Sequence, residues 1–142
     1  MSRILAIDLG EKRIGIAISD PTQTIASPLK TIQFGGFRKL VIEIQLIIGS
    51  HNIMKIIVGF PITMKGTMSK QTENVMNFYE KLKKTLSVEI QLYDERLTTV
   101  QAKETLKLLK KKASKERNRI DQIAASHLLQ NFLDREINIR QT

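Results

Sequence analysis

Two hydrophobic rhythms run along the chain. Ile4-Leu5-Ala6-Ile7 and the stretch from Ile14 to Ile18 are short, nearly continuous apolar runs rich in Ile, the pattern of strands buried on both faces. They predict strands over Arg3–Leu9 and Arg13–Ser19, joined by Gly10-Glu11-Lys12, a connection of hairpin length. Residues 25–32 predict a third, weaker strand. Pro28 confines it to a sheet edge, because proline has no N–H to give to a central ladder. The rhythm then lengthens: Phe37, Leu40, Val41, Ile44, Ile47 and Ile48 recur every three or four residues and mark one face of a helix, which Gly49 is expected to end.

The same two rhythms alternate through the rest of the chain. Lys55–Val58 predicts a short buried strand broken by Gly59-Phe60-Pro61, followed by a loop through Gly66. A helix over Ser69–Leu86 turns Val75, Phe78, Leu82 and Leu86 inward, and Val88–Tyr93 predicts a fifth strand. Thr98 and Gln101 match a capping box that starts a helix with Ala102, Leu106, Leu109 and Ala113 inward and Lys103, Lys107 and Lys110 outward. A last helix spans about Asn118–Asp134, and residues from about 135 to 142 read as a polar tail. The order β-β-β-α-β-α-β-α-α implies an α/β fold: a five-stranded mixed sheet, antiparallel on one side and parallel on the other, with helices on both faces.

Length and composition narrow the function. One domain over residues 1–142 accounts for the whole chain, since a chain of this size hides roughly 70% of its unfolded surface in a single core. The absence of cysteine removes disulfides and thiolate metal sites, and no apolar run approaches the ~20 residues of a membrane helix, so a soluble, cytoplasmic protein is expected. The formal charge is +9. Between Lys103 and Arg119 eight basic residues, among them Lys103, Lys107, Lys110 and Lys111, face two acids, which concentrates most of the excess in one stretch. Such a run is either a solvated helix face or a surface for nucleic acid.

Three groups of acids interrupt apolar elements. Asp8 closes the first strand, Asp94-Glu95 closes the fifth, and Asp121 sits in line with Ala124, Ala125, Leu128, Leu129 and Phe132 on the last helix. Each has an ordinary explanation: Asp8 as a strand end, Asp121 as an acid at a helix N-terminus. In open sheets, however, ligands gather beyond the carboxyl ends of strands, and carboxylates collected there hold hard divalent cations. Neighbours in a strand point to opposite faces, so spacing alone does not choose between Asp94 and Glu95. His51 and His127 read as structural or surface residues, and no phosphate-loop or dinucleotide fingerprint is present.

The segments Ile7-Asp8-Leu9-Gly10-Glu11-Lys12-Arg13-Ile14-Gly15, Val58-Gly59-Phe60-Pro61 with Gly66, Asp94-Glu95-Arg96-Leu97-Thr98-Thr99, and Ile120-Asp121-Gln122-Ile123-Ala124-Ala125 with Leu129-Gln130 together resemble the YqgF family. These are Holliday junction resolvases, also described as pre-16S rRNA nucleases, with an RNase H-like fold. The likeness extends over nearly the whole chain in the right order; His127 departs from it, standing where the family more often has an aliphatic residue. The resemblance implies a metal-dependent endonuclease with Asp8, Glu95 and Asp121 as catalytic metal ligands for Mg²⁺ or Mn²⁺, Asp94 being the alternate to Glu95. Lys12, Arg13 and Arg96 flank these acids and are candidates for phosphate contacts, together with the lysine cluster.

The implied partners are structured nucleic acid, either precursor 16S rRNA within ribosomal particles or branched DNA, with no membrane and with a monomer or homodimer as the unit. A non-catalytic nucleic-acid-binding or ribosome-assembly module on the same fold is the alternative. Three clustered acids would repel one another, so neutralising Asp121 is expected to cost no stability before metal binds.

Overall fold

The computed structural model describes residues 2–10, 12–60, 70–94 and 117–141. Strands β1 (Arg3–Leu9), β2 (Arg13–Ser19) and β3 (Ala26–Gln33) lead into α1 (Phe37–His51), β4 (Ile53–Phe60), α2 (Lys70–Thr85), β5 (Glu89–Asp94) and α3 (Arg117–Gln141). The sheet order is β3-β2-β1-β4-β5. The β1–β2 and β2–β3 pairs are antiparallel, and β1–β4 and β4–β5 are parallel. This is the expected mixed sheet, with β3 and its Pro28 on an edge.

The pleat divides the core into two layers. On one face Leu5, Ile7, Ile14, Ile16, Ile56, Val58 and Ile90 pack with Leu40 and Ile44 of α1 and with Val75, Phe78 and Leu82 of α2. On the other, Ile4, Ala6, Ala17, Ile57 and Tyr93 pack with Ala125, Leu128, Leu129, Phe132 and Leu133 of α3. Small residues in the second set let α3 lie close on the sheet. Tyr93 and Phe132 meet edge to face at 5.5 Å, and the Tyr93 hydroxyl donates to Asn131 Oδ1. Gln130 fastens α3 to the β2–β3 connection: its Oε1 accepts from Ala26 N at 2.8 Å and its Nε2 donates to the Thr24 carbonyl at 2.9 Å.

Three boundaries differ from the sequence expectation. Helix α1 runs through Gly49 and ends at Asn52, whose left-handed backbone (φ 54°) lets its N–H reach the Ile48 carbonyl. Strand β4 continues through Gly59 to Phe60, because β5 supplies their ladder partners, Tyr93 and Asp94. The residues expected as a polar tail are helical as far as Gln141, carried by the layer that Phe132 and Leu133 anchor. The predicted helix after β5 lies outside the described residues. No helix among the described residues is long and apolar enough to cross a membrane.

Candidate active site

Asp8 is the sixth of seven residues in β1 and takes the parity of Ile4 and Ala6, so it faces α3. Its cross-strand partner is Gly15 of β2. A Cβ at Gly15 would lie 2.0 Å from the Asp121 carbonyl oxygen, so the missing side chain is what allows the N-terminal part of α3 to rest on β2. Cross-strand partners stand about 5 Å apart at Cα. Asp8 and Asp121 therefore occupy one corner of the molecule, although 112 residues separate them along the chain. On the other side of Asp8, the register Ile7↔Val58 continued by one residue sets Gly59 beside it, so glycine flanks Asp8 on both neighbouring strands.

Arg13 shares the face of Gly15 and Ala17 and reaches the same corner. Its Nε donates to Asp121 Oδ2 at 2.7 Å, and both side chains are about a quarter exposed. Asp121 thus has a cationic partner in Arg13, which the expectation built on like-charge repulsion alone did not include. Arg13, expected to bind phosphate, first positions an acid. The hairpin between β1 and β2 closes at Gly10, whose N–H donates to the Arg13 carbonyl at 3.0 Å; a Cβ there would come within 2.6 Å of that oxygen. Lys12 is exposed at the tip.

Asp94 ends β5 opposite Phe60. It shares the parity of Ile90 and Leu92, which pack with α1 and α2, and so belongs to the face away from Asp8. β1 and β5 are not neighbours; β4 lies between them. Burial under α3 pushes the Tyr93 hydroxyl above its ordinary range, and the nearby Arg135 partly offsets this, so the group donates to Asn131 as a neutral phenol. Among the described residues no group of three or more His, Cys, Asp or Glu side chains is placed to hold a metal ion. Glu95, Arg96, Lys103, Lys107, Lys110 and Lys111 lie outside those residues. His51 and His127 are both half-buried on helices, on α1 and α3 respectively.

Comparison with known proteins gives this corner its context. The RuvX family model, described as Holliday junction resolvase, matches residues 2–135. A protein of Thermoanaerobacter pseudethanolicus named "Putative pre-16S rRNA nuclease" is 44% identical over 140 residues, covering 96% of this chain and 99% of the relative. A protein of the same name from Chloroflexus aurantiacus is 41% identical over 131 residues, covering 92% and 86%. Among solved structures, Thermus thermophilus RuvC in complex with Holliday junction substrate superposes with a TM-score of 0.61 at 9% identity, covering 96% of this chain and 97% of that one. The yeast mitochondrial Holliday junction resolvase Ydc2 gives 0.61 at 11% identity, covering 99% and 81%. At such identities the structural likeness is one of fold, the RNase H-like fold. The sequence matches go further: the chain belongs to the RuvX (YqgF) family of Holliday junction resolvases, which are nucleases.

Proposed function

We propose that the protein is a divalent-metal-dependent endonuclease whose substrate is structured RNA at the 5′ end of precursor 16S rRNA, with branched DNA as a second substrate of the same site. The observation that carries this reading is the seating of Asp121 on Gly15, directly across from Asp8. The donor chemistry fits Mg²⁺ or Mn²⁺, which take hard carboxylate oxygens, and offers no soft ligand for other metals. Asp8 and Asp121 would hold the ion. Glu95 completes the set in this proposal, because Asp94 shares the parity of Leu92 on the other face.

When bound, the cation offsets phosphate charge and makes an attacking water more acidic. The chain's own residues do the positioning. Arg13 holds Asp121 in one orientation and brings a positive charge to the corner where a phosphodiester must enter. The glycines on either side of Asp8 leave this end of the sheet open to a backbone phosphate. Lys12, Arg96 and the lysines at 103, 107, 110 and 111 are assigned to phosphate contacts along the substrate. Residues 1–142 act as one catalytic unit, in the cytoplasm and, for precursor rRNA, on a ribosomal particle. A monomer suffices to trim one RNA end, whereas symmetric cutting of a junction calls for a two-fold dimer.

The Arg13–Asp121 pair also favours a second reading, since an acid neutralised by arginine serves equally as a clamp between helix and sheet in a binding module that does not cut. One experiment separates the two. Purified protein is incubated with precursor 16S rRNA and with a four-way DNA junction, each with Mg²⁺ or Mn²⁺, beside an Asp8→Asn variant. The nuclease reading expects cation-dependent cleavage of the rRNA precursor that Asp8→Asn abolishes. Binding without cleavage would establish the module, and full cleavage by Asp8→Asn would remove Asp8 from the site.

A further inference from the structure

Across the sheet from the acids, the same end of β1 opens into a cleft of about 330 Å³. Leu9 and Gly10, the two residues after Asp8, form its floor. Its walls are Phe34, Phe37, Asn74, Asn77 and Lys81. Phe34 is 48% exposed and is pinned beside the hairpin by its N–H, which donates to the Lys12 carbonyl at 3.0 Å. Phe37 is held edge to face against Phe78 at 6.0 Å, with Lys81 Nζ 5.6 Å from its ring centre. Asn74, Asn77 and Lys81 follow one another at three- and four-residue spacing, one stripe along α2.

We propose that this cleft receives an unpaired nucleobase of the substrate, next to the phosphate presented to Asp8. The proposal rests on the nuclease reading and extends it to the feature of the substrate that is recognised. Fixed aromatic faces bind any base by stacking, side-chain amides offer both a donor and an acceptor to a base edge, and an ammonium suits the attached phosphate. Lys81 is the only charged residue among the described lining, and no acid there opposes a polyanion. Asp8 and Leu9 are adjacent at the end of β1 and point to opposite faces, so one nucleotide draped over this end of the sheet offers its phosphate to the first and its base to the second. Fully paired duplex has no base to give this cleft. Bulges and frayed ends do, as does a junction whose branch-point pairs have opened.

The test uses the full chain carrying Asp8→Asn, so that binding is measured without cutting. Fluorescence anisotropy follows an RNA hairpin with one bulged adenosine and a four-way DNA junction with one unpaired adenosine, each compared with a copy abasic at that nucleotide. The proposal expects at least about a fivefold preference for the copy that keeps the base, a scale set by base–aromatic stacking. Phe34→Ala and, independently, Asn77→Ala should reduce that preference toward one while binding to the abasic copies stays as it was. Both side chains are exposed, and thermal melts of each variant check that the fold is kept. A preference that survives both substitutions, or is absent from the parent protein, overturns the base pocket while leaving the nuclease reading intact. A Phe34→Ala change in sedimentation from dimer to monomer would instead assign the cleft to a second copy of the chain. Failure to bind any of the four nucleic acids overturns both readings.

Discussion

At the scale of single residues, two glycines make opposite predictions from the same substitution. Gly15→Ala drives a methyl group into the Asp121 carbonyl, backbone against backbone, so nothing flexible can yield. We expect a loss of 1–3 kcal/mol or more, the usual cost of overpacking, with activity lost as α3 is lifted from β2. Gly49→Ala sits inside α1 with nothing within 4 Å and should gain roughly 0.5–1 kcal/mol by stiffening the unfolded chain. Urea melts of the two proteins decide both; equal effects would mean that the close approach at Gly15 is not real. Asp121→Asn tests the corner from the other side. Because the Arg13 pair is only partly buried, losing it should cost the metal-free protein no more than about 1 kcal/mol. Mn²⁺ should raise the melting temperature of the parent and much less that of the variant, since an ion that binds only the folded site stabilises it by mass action. An identical Mn²⁺ shift in both would exclude Asp121 as a ligand.

At the scale of elements, the hydrophobic rhythm foretold strands and helices well wherever a pattern is local. β1 and β2 fall on the residues that Ile4 to Ile7 and Ile14 to Ile18 mark, and Pro28 correctly places β3 at an edge. Ends set by tertiary partners were not legible. Gly59 reads as a strand breaker until β5 lies beside it, and the last two turns of α3 look polar because none of their described residues is buried. The Arg13–Asp121 contact spans 108 residues, a distance over which no periodicity carries information. The β2–β3 connection was silent in the sequence for another reason: its order comes from one side chain. Asp20 accepts from the Ile25 N–H at 2.9 Å, from the Thr22 hydroxyl and from the Thr24 N–H at 2.8 Å, which together hold its carboxyl well below the usual range. A carboxylate depressed by folding stabilises fully above its unfolded value, near 4, and the contribution fades as pH falls through the folded value. Asp20→Ala should therefore be less stable than the parent at pH 7, with the gap closing on acidification below about pH 4. Urea midpoints at pH 7, 4 and 2.5 measure it, and a gap independent of pH would mean that the turn is held by something other than this carboxylate.

At the scale of the whole molecule, in the proposed reaction, the charge of +9 acts on how substrate arrives and the corner at Asp8 on what happens to it. The two are separable. Lysines 103, 107, 110 and 111 fall in the densest basic stretch of the sequence, between Glu95 and Asp121, and none of them is proposed to hold metal. If they neutralise phosphates, replacing Lys107, Lys110 and Lys111 together with Ala releases fewer counterions on binding. On duplex arms of a four-way junction the logarithm of affinity falls by about 0.9 per contacted phosphate for each tenfold rise in salt, so the triple variant should lose roughly 2 to 3 from the steepness of that dependence. Its affinity should drop at low salt and converge on that of the parent at high salt, where the electrostatic contribution is screened in both. Cleavage of bound substrate under single-turnover conditions should be unaltered, because none of the three is assigned to the metal corner. Titrations between 50 and 300 mM salt give the slope directly. A parallel displacement of the two lines would show that these lysines act through the fold, and coincident lines would leave them with no part in binding.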